Sequence, residues 1–381
     1  MSGSAPPRKK ILFVVTEDWF FVSHFLPMAR AARDGGFDVA VAARVRDHGG
    51  RITSEGFSLI PVEAERRSLN PFAVLGACRQ LLNLIKAEQP DIVHLIALRS
   101  ILIGGIAARL AGVSRRVVAL TGLGFIGAGR GPVAATARMA LRVAIRLLVD
   151  GDRTRFLFEN RSDPVLLGLD PDDARKVLIV GGAGIDPDAY APVASPVGPT
   201  LRVAMVARML WSKGADLAVE AVRLAQAKGA DVTLSLYGAP DGSNPRAISE
   251  EMLLRWSTQP GIRWHGPTGE VAAVWANHHL AILPSRGGEG LPRTILEAAA
   301  CGRAILTTDV PGCRDFVRDG IEGRVVANDD VDALAAALVA LAGHFAELAT
   351  MGAAARARVL DGHTETAVGQ DVLTLYGKML R

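Results

Sequence analysis

The chain alternates short, β-branched apolar segments with longer amphipathic segments, and this alternation runs through the sequence twice. Short apolar runs bounded by polar or glycine residues predict buried strands, whereas longer periodic runs predict helices. The predicted strands cover 9–17, 37–45, 91–97, 115–122, 200–208, 231–238, 262–266, 280–285, 304–309 and 323–326. The predicted helices cover 24–36, 70–90, 101–112, 214–229, 244–259, 271–278 and 291–302. Alternating strands and helices form parallel sheets, so the sequence predicts an α/β fold with two doubly wound, Rossmann-like domains.

A proline-rich segment separates the two series of strands and helices. The stretch 186–200, DPDAYAPVASPVGPT, contains four prolines, a composition typical of linkers. The length of 381 residues also suits two domains better than one. We therefore expect an N-terminal domain at 1–190, a C-terminal domain at 191–363, and a last helix at 364–381 that packs back on the first domain.

Composition and cysteine usage indicate a globular protein of a reducing compartment. Hydrophobic residues make up 49% of the chain and charged residues 22%, which provides enough apolar material for two cores. The three cysteines, Cys78, Cys301 and Cys313, form no CxxC pair, which argues against a disulfide framework. The apolar run after the basic N-terminus is too short for a signal peptide, and no uncharged apolar run has membrane-spanning length. These features predict a cytoplasmic protein.

Chemistry is expected in the loops that follow the predicted strands, because open parallel sheets bind ligands at the carboxyl ends of their strands. These loops are 16–24, 97–100, 121–131, 208–214, 238–244, 266–269, 285–290 and 309–313. The glycines of 285–290, SRGGEG, allow a ligand to approach the backbone closely. The N-terminus of the helix that follows offers N–H groups and a positive dipole end to a phosphate.

Two glutamates eight residues apart, Glu289 and Glu297, lie in this region. Glu297 falls about two turns into the helix, where a carboxylate is well placed to bind two neighbouring ribose hydroxyls. Glu289 lies in the loop and is placed to bind sugar hydroxyls. The alternative is that Glu297 is an ordinary charge on a helix face and Glu289 a solvated loop residue.

The E-x7-E pattern and its surroundings, EGLPRTILEAAACGRAILTTDVPGCRDFVRDGIEG, resemble the donor-site signature of the family 4 retaining glycosyltransferases, which have the GT-B fold. The segments at 14–43, 66–71 (RRSLNP) and 121–125 (TGLGF) resemble a bacterial branch that elongates surface polysaccharides. The resemblance covers nearly the whole chain. It implies two Rossmann-like domains that face each other across a cleft, with the acceptor bound by the first domain and the nucleotide sugar by the second.

The resemblance also implies roles for particular residues of the second domain. The family pattern R-x(4–5)-K-G corresponds to VARMLWSKG, which makes Arg208 and Lys213 the ligands of the donor diphosphate. Two fixed cations are suited to stabilising the charge of a leaving diphosphate. The remaining implied roles are the catalytic carboxylate that meets the donor sugar (Glu289), the ribose ligand (Glu297), backbone ligands of the phosphates (Gly290, Leu291) and contacts of the base (Gly238, Pro267).

No cofactor is expected beyond the nucleotide sugar, which is a co-substrate, and no metal site is expected. The strings DPD at 170–172 and 186–188 have the form of a DxD metal motif. Both lie in proline-containing, turn-like segments, where aspartates commonly hydrogen-bond to the backbone of the turn. We therefore interpret them as turn and cap residues.

The first domain offers further candidates. His94 lies in the predicted strand 91–97 and is either a catalytic contact of the donor sugar or a histidine of the core. Ser23 and His24 occupy the place of the family's glycine loop and are candidates for the acceptor side, the alternative being a helix N-cap and a surface residue. Arg67 and Arg99 are further candidates for the acceptor side.

Positive charge is concentrated in residues 99–161, which hold 11 arginines and three acidic residues. Within 131–149, Arg138, Arg142 and Arg146 follow each other at helical spacing, with apolar residues between them. Such a basic amphipathic helix is suited to an anionic membrane surface, although an ordinary surface helix has the same pattern. Motifs that read nucleic acid grooves are lacking, so no nucleic acid partner is expected.

The resemblance implies a retaining transfer of a hexose or N-acetylhexosamine, most plausibly from a UDP-sugar, to a polyprenyl-diphosphate-linked glycan. The place of action would be the inner face of the cytoplasmic membrane, where the protein binds peripherally, in lipopolysaccharide or related polysaccharide biosynthesis. Two alternatives remain: a homologue that binds nucleotide sugar without transferring it, and a GT-B sugar-nucleotide epimerase.

Overall fold

A computed structural model describes residues 8–63, 70–124, 127, 129, 131–242 and 244–381. The chain divides into two compact units. Unit 1 comprises Met1–Gly184 together with Glu365–Arg381, and unit 2 comprises Ile185–Thr364. The prediction from the sequence had placed the first boundary between residues 190 and 191.

Unit 1 contains a seven-stranded sheet in which all pairs of neighbouring strands are parallel. Its strands are Lys10–Glu17 (β1), Asp38–Arg44 (β2), Ser58–Pro61 (β3), Ile92–Ile96 (β4), Arg116–Leu120 (β5), Thr154–Phe158 (β6) and Val177–Ile179 (β7). The spatial order β3-β2-β1-β4-β5-β6-β7 reverses between β1 and β4, as in doubly wound sheets. The sequence had missed β3, β6 and β7.

Helices cover both faces of this sheet and leave its strands almost fully buried. The described helices include Asp18–His24 (α1), Leu26–Asp34 (α2), Gly49–Ser54 (α3), Pro71–Glu88 (α4), Leu98–Leu110 (α5), Pro132–Ala144 (α6) and Ser162–Leu166 (α7). Along β1, Ile11 and Phe13 point into one apolar cluster, whereas Leu12 and Val14 point into a second cluster on the other face. The continuous apolar runs of the sequence follow from this burial on both faces.

Unit 2 contains a six-stranded parallel sheet. Its strands are Leu201–Val206 (β8), Val232–Tyr237 (β9), Ile262–Trp264 (β10), Leu280–Leu283 (β11), Ala304–Thr308 (β12) and Gly323–Val326 (β13). Its described helices include Ala215–Ala227 (α8), Glu250–Trp256 (α9), Val271–Ala276 (α10), Arg293–Ala300 (α11), Cys313–Phe316 (α12), Val331–Leu341 (α13) and Phe345–Leu360 (α14). The order β10-β9-β8-β11-β12-β13 reverses between β8 and β11. The predicted class, α/β with doubly wound sheets, is thus confirmed in both units.

The last helix, Glu365–Leu380 (α15), packs within unit 1. It lies against α2, where a Cβ on Gly369 would come within 2.8 Å of Ala31 Cβ. Tyr376 of α15 is fully buried in the apolar cluster of the sheet. The chain passes from one unit to the other twice, after Gly184 and after Thr364. Ile185 and Thr364, the first and last residues of unit 2, pair in an isolated parallel bridge.

The proline-rich segment after Ile185 is fixed to unit 2, although its composition suggested a free linker. The buried side chain of Arg303 donates hydrogen bonds to the carbonyl of Val193 at 2.9 Å and to Ser195 Oγ at 3.0 Å. Arg356 donates to the carbonyl of Tyr190 at 3.3 Å. Proline has no backbone N–H and so cannot donate to a neighbouring carbonyl. In this proline-rich segment the two arginines donate to backbone carbonyls instead.

Candidate functional site

The carboxyl edge of the sheet of unit 2 carries most of the candidate residues. Arg208 and Lys213 follow β8, whereas Ser285 and Glu289 follow β11. These two strands are neighbours and flank the point where the strand order reverses. Ligands of doubly wound sheets bind outside this point, so the topology favours a binding site here.

Lys213 and Glu289 form a direct ion pair at this edge. Lys213 Nζ lies 2.7 Å from Glu289 Oε1 and 2.7 Å from Oε2. Ser285 Oγ donates to the same Oε1 at 2.9 Å. The side chains are 17% and 13% exposed, so the pair is largely enclosed yet reachable. The sequence had placed both residues in the site, but it had not indicated this pairing.

Close approach of two loops explains why Lys213 reaches Glu289. Lys213 ends a short 3₁₀ turn, and Gly214 follows with φ of 76°. A Cβ at this glycine would lie 2.0 Å from the carbonyl oxygen of Pro284. The positive φ and the tight contact both require glycine, which brings the loop after β8 directly onto the end of β11.

Arg208 pairs with a carboxylate that the sequence had not singled out. Arg208 Nη1 donates to Asp241 Oδ2 at 3.0 Å. Asp241 lies in the loop after β9, one of the loops in which chemistry was expected. The arginine side chain is 45% exposed and the aspartate 17%, so solvent reaches the cation more easily than its partner. Both cationic candidates of unit 2 therefore contact carboxylates.

Glu297 lies in α11 and is almost completely buried. Its Oε1 accepts hydrogen bonds from Arg293 Nε at 2.9 Å and from Tyr190 Oη at 3.1 Å. Burial raises the pKa of Glu297 above its usual value, and the charge of Arg293 opposes this rise. Burial also raises the pKa of Tyr190 to about 12, so this phenol keeps its proton at neutral pH. The sequence had identified Glu297 but neither of its partners.

The loop between β11 and α11 packs backbone against backbone. A Cβ at Gly312, where φ is 75°, would lie 1.4 Å from the carbonyl oxygen of Gly290. Arg286 fixes the start of the loop with two hydrogen bonds to Asp216, at 2.8 and 2.7 Å. Leu291 is buried directly after the loop. These contacts hold Gly290 and Leu291 next to the start of α11.

The N-terminus of α11 carries no side-chain cap. Its N-cap residue is Pro292, which has no side-chain acceptor for the first N–H groups of the helix. An anion at this position would satisfy these donors and interact favourably with the helix dipole.

The candidates for the base contact, Gly238 and Pro267, lie on two neighbouring loops. Gly238 N donates to the carbonyl of Gly266 at 2.8 Å, and Trp264 Nε1 donates to the carbonyl of Gly238 at 2.8 Å. A Cβ at Gly238 would lie 1.8 Å from the carbonyl oxygen of Ala207. Pro267 directly follows this junction and is exposed. Backbone groups, together with the indole of Trp264, therefore make the contacts between these two loops.

In unit 1, His94 is enclosed in the core. Its Nδ1 lies 2.6 Å from Tyr376 Oη, and its ring stacks on Phe13 with a centroid distance of 4.9 Å. Burial lowers the pKa of His94 to about 3, so its imidazole is neutral. The geometry matches the alternative of a core histidine. A completely buried imidazole is out of reach of a substrate, which argues against the catalytic role that the resemblance implied.

Ser23 and His24 contact each other near the C-terminal end of α1. Ser23 Oγ lies 2.6 Å from His24 Nδ1, and the ring of His24 lies 4.5 Å from that of Phe20. Both residues are half-buried. Ser23 lies inside α1, and the N-cap of α2, the helix that the sequence had predicted to begin at residue 24, is Phe25. The helix-cap alternative for Ser23 is therefore not observed.

Arg99 is the second residue of α5, which follows β4, and it lines a small cavity of about 30 Å³. Arg44 and Ser100 also line this cavity, and Ser100 Oγ lies 3.2 Å from Thr16 Oγ1 at the end of β1. Arg44 forms an ion pair with the buried Glu17 at 2.6 Å. Arg67 lies outside the described residues.

The basic segment 131–149 forms α6 and a π-helical turn, Ile145–Val149. Its exposed apolar side chains include Val133, which is 81% exposed, Met139 at 57% and Leu147 at 64%. Arg142 and Arg146 are exposed as well, whereas Arg138 is half-buried and donates to the carbonyl of Gly129. Large apolar side chains and arginines thus share one surface.

The turn interpretation of the two DPD strings agrees with their hydrogen bonds. Asp170 Oδ1 accepts from the backbone N–H of Asp172 at 2.9 Å, and Asp186 Oδ1 accepts from that of Asp188 at 3.0 Å. Within the described part of the chain, no group of three or more His, Cys, Asp or Glu side chains is arranged to hold a metal ion. No single helix among the same residues is long and apolar enough to cross a membrane, and α13 and α14, bent by 110°, reach that threshold only as a pair.

Comparison with known proteins defines the class of this fold. A solved structure of Anabaena Alr3699/HepE, described as a complex with UDP and glucose, superposes with a TM-score of 0.77. It is 15% identical and covers 97% of this chain and 100% of its own, so the likeness concerns the fold. The two doubly wound units therefore have the architecture of GT-B glycosyltransferases.

Family comparisons identify the chain within this class. Residues 200–344 match the model of the family described as glycosyl transferases group 1, and residues 10–150 match that of glycosyl transferase 4-like proteins. The chain belongs to the family 4 glycosyltransferases, and it is an enzyme of that class.

Two relatives extend over most of the chain. An N,N'-diacetylbacillosaminyl-diphospho-undecaprenol alpha-1,3-N-acetylgalactosaminyltransferase of Campylobacter jejuni is 27% identical over 79% of this chain and 81% of its own length. A GDP-mannose-dependent alpha-(1-6)-phosphatidylinositol monomannoside mannosyltransferase of Mycolicibacterium smegmatis is 30% identical over 68% of each chain.

Proposed function

We propose that this protein is a retaining glycosyltransferase that moves a hexose or N-acetylhexosamine from a UDP-sugar to a polyprenyl-diphosphate-linked glycan in surface polysaccharide biosynthesis. The observation that carries the proposal is the cluster of Lys213, Glu289 and Ser285 at the reversal point of the second sheet. Cations, a carboxylate and an uncapped helix N-terminus meet the needs of a sugar attached to a diphosphate.

The donor diphosphate binds Lys213 and Arg208 in this proposal. Both cations contact carboxylates, Glu289 and Asp241 respectively, which keep them in place and limit the cost of their partial burial. A diphosphate carries about two negative charges and competes with these carboxylates for the cations. The backbone N–H groups of Gly290 and Leu291 complete the phosphate site at the start of α11.

Glu289 contacts the donor sugar. Its carboxylate accepts from Lys213 Nζ and Ser285 Oγ, so its position next to the diphosphate cation is defined on two sides. A carboxylate accepts several hydrogen bonds at once, so sugar hydroxyls can join or replace these donors when the nucleotide sugar binds. Glu297 binds the ribose, and the loops of Gly238 and Pro267 contact the base through backbone groups.

The transfer proceeds on one face of the sugar. The acceptor hydroxyl oxygen forms a bond to the anomeric carbon while the bond from that carbon to the diphosphate oxygen breaks. The hydroxyl proton passes to the leaving phosphate, and the configuration of the donor is retained. Lys213 and Arg208 stabilise the charge that develops on the diphosphate, which is the largest electrostatic demand of this reaction.

A lipid-linked acceptor is supported by the names of the relatives and by α6. The Campylobacter relative is named for a diphospho-undecaprenol acceptor and the Mycolicibacterium relative for a phosphatidylinositol acceptor. The exposed apolar side chains of Met139 and Leu147 share this segment with the exposed Arg142 and Arg146. A surface of this kind is suited to an anionic membrane through apolar insertion and charge, which supports a proposed peripheral location at the inner face of the cytoplasmic membrane.

The test is a transfer assay with the full chain, a panel of UDP-hexoses, UDP-N-acetylhexosamines and GDP-mannose, and a short-chain polyprenyl-diphosphate-linked sugar, in buffer containing a chelator. We expect one UDP-sugar to yield a glycolipid whose new linkage keeps the anomeric configuration of the donor, as read by NMR. An epimerised donor without transfer would contradict the proposal in favour of an epimerase. Donor binding without any turnover would contradict it in favour of a binding protein.

A further inference from the structure

Glu297 is held by two side chains that neither the resemblance nor the sequence pattern had indicated. Arg293 precedes it by one helical turn, and Tyr190 comes from a segment 107 residues earlier in the chain. All three residues lie in unit 2, and the carboxylate and its partners are part-buried or buried. Glu297 is the most buried carboxylate of the cluster and of the site, with a side chain only 10% exposed, whereas Arg293 is 27% exposed.

The position of Tyr190 is fixed by the backbone around it. Arg356 donates to the carbonyl oxygens of Tyr190 and Ala300, and Ala300 is the last residue of α11. Arg303 holds the carbonyls of residues 193 and 194 in the same segment. The segment that carries Tyr190 is therefore fastened to the helix that carries Glu297, so the phenol and the carboxylate keep their relative positions.

Both hydrogen bonds to the carboxylate of Glu297 are made to the same oxygen. Arg293 Nε and Tyr190 Oη both donate to Oε1, at 2.9 and 3.1 Å. A carboxylate oxygen has two lone-pair directions, so these two donors match the capacity of Oε1. The second oxygen, Oε2, then has its own two lone pairs for a pair of vicinal hydroxyls.

We propose that Tyr190 and Arg293 are positioning residues that orient Glu297 toward the 2′- and 3′-hydroxyls of the donor ribose, and that they thereby make the enzyme selective for ribonucleotides over 2′-deoxyribonucleotides. The inference rests on the proposed function, because it assumes a nucleotide at the carboxyl edge of unit 2. Beyond the proposed function, the inference identifies Tyr190 and Arg293 as two side chains on which recognition of the ribose depends.

The need for such positioning follows from burial. An isolated glutamate in this environment favours its neutral form, and a protonated carboxyl can offer only part of the acceptor capacity of a carboxylate. The guanidinium of Arg293 counteracts the rise in the pKa of Glu297. The hydroxyl of Tyr190 contributes a neutral donor that fixes the rotation of the carboxylate without adding charge.

The experiment measures binding of nucleoside diphosphates to the full chain by calorimetry. The probes are UDP, GDP and ADP, followed by the 2′-deoxy counterpart of whichever ribonucleotide binds the wild type most tightly. The variants are Tyr190→Phe, Arg293→Gln and the double variant. Tyr376→Phe and Arg223→Gln serve as matched controls, because Tyr376 lies in unit 1 and Arg223 pairs with Glu220 on an exposed face of α8.

We expect the wild type to prefer the ribonucleotide by about tenfold or more, the usual value of a hydrogen bond to a charged group. Each single variant should weaken binding of the ribonucleotide more than binding of the 2′-deoxy form, which keeps only the 3′-hydroxyl contact, and the double variant should lose most of the preference. As the pH falls, the Arg293→Gln variant should lose affinity for the ribonucleotide at a higher pH than the wild type does. The reason is that the charge of Arg293 no longer opposes the rise in the pKa of Glu297. The two controls should keep the wild-type ratio even where their melting temperatures fall.

The outcomes separate this inference from the proposed function. Variants that weaken both nucleotides equally, or a wild type that does not discriminate between them, would overturn the positioning role while leaving a nucleotide site intact. A wild type that binds none of the three ribonucleotides would overturn the proposed function and this inference together.

Discussion

Lys213 Nζ lies 2.7 Å from both carboxylate oxygens of Glu289, although 76 residues separate them in the chain. The pair joins the loops after β8 and β11, the two strands at which the order of the second sheet reverses. A cation and a carboxylate held together at this point provide charge for a leaving diphosphate and an acceptor for the sugar attached to it. The predictions below follow from this arrangement and from the surfaces around it.

Replacing Lys213 by alanine should reduce kcat/KM for the nucleotide sugar by about 100-fold or more, as for other groups that stabilise a developing negative charge. The variant also leaves Glu289, which is only 13% exposed, without its cation. Steady-state kinetics with the transferred sugar as readout gives the value. Lys228→Ala should leave kcat/KM within twofold of the wild type, because Lys228 is exposed and lies at the opposite end of α8 from Lys213.

Asp241→Asn should increase the affinity for the nucleoside diphosphate by a few-fold. The carboxylate of Asp241 contacts Arg208 at 3.0 Å and competes with the diphosphate for this arginine. The side-chain amide of asparagine is uncharged, so it repels the diphosphate less and binds Arg208 less strongly. Calorimetric titration at low and high salt measures the effect, which should shrink as salt increases. A tenfold loss of affinity would instead indicate that Asp241 contacts the donor itself.

Stability should fall in acid because of His94. Burial lowers the pKa of this histidine from 6.5 to about 3, so its contribution is complete above pH 6.5 and is lost as the pH falls from 6.5 toward 3. At pH 5 the loss amounts to about 2 kcal/mol, since each pKa unit corresponds to about 1.4 kcal/mol. Urea unfolding of the wild type and of His94→Asn across this range tests the prediction, because asparagine does not titrate and should flatten the dependence.

Tyr376→Phe is the matched control for His94. It removes the hydrogen bond to Nδ1 but leaves the buried imidazole, so stability should decrease at every pH while the acid dependence remains. His94→Asn should also retain transfer activity when it is folded. A variant that is folded but inactive would restore the catalytic role for His94.

Membrane binding should depend on the exposed apolar residues of 131–149. The full chain should co-sediment with vesicles that contain phosphatidylglycerol and much less with neutral vesicles, and the difference should shrink at high salt. The double variant Met139→Glu, Leu147→Glu should lose most of this binding. Leu254→Glu changes a side chain of unit 2 that is 59% exposed, and it should bind like the wild type. Equal loss in both variants would contradict a specific role for this segment.

The sequence predicted what is periodic or local. Apolar runs identified the central strands of both sheets, because strands buried on both faces carry uninterrupted apolar side chains. The rule that ligands bind at carboxyl ends selected the loops 208–214 and 285–290, and the family resemblance then singled out Lys213, Glu289 and Glu297 as candidates. The edge strands β3 and β7 were missed because each has only three or four residues and most of these are partly buried or exposed. Strand β6 was missed because its apolar run is only three residues long.

Partners that are distant in sequence could not be predicted. Tyr190 lies in a segment whose prolines suggested a free linker, and only the fold brings its hydroxyl to Glu297. His94 lies in a strand whose following loop was expected to carry chemistry, but Tyr376 of α15, 282 residues later in the chain, packs against it in the core. Hydrophobic periodicity in the sequence shows which face of a helix or strand is apolar. It does not show which other element packs against that face.

The central claim is that the carboxyl edge of the second sheet binds a nucleoside diphosphate through Arg208 and Lys213. The most direct measurement is calorimetric titration of UDP into the wild type and into the double variant Arg208→Gln, Lys213→Gln. The account predicts saturable binding to the wild type and an affinity at least 100-fold lower in the variant, about 3 kcal/mol. Unchanged binding by a folded double variant, or a wild type indifferent to UDP, GDP and ADP, would contradict it.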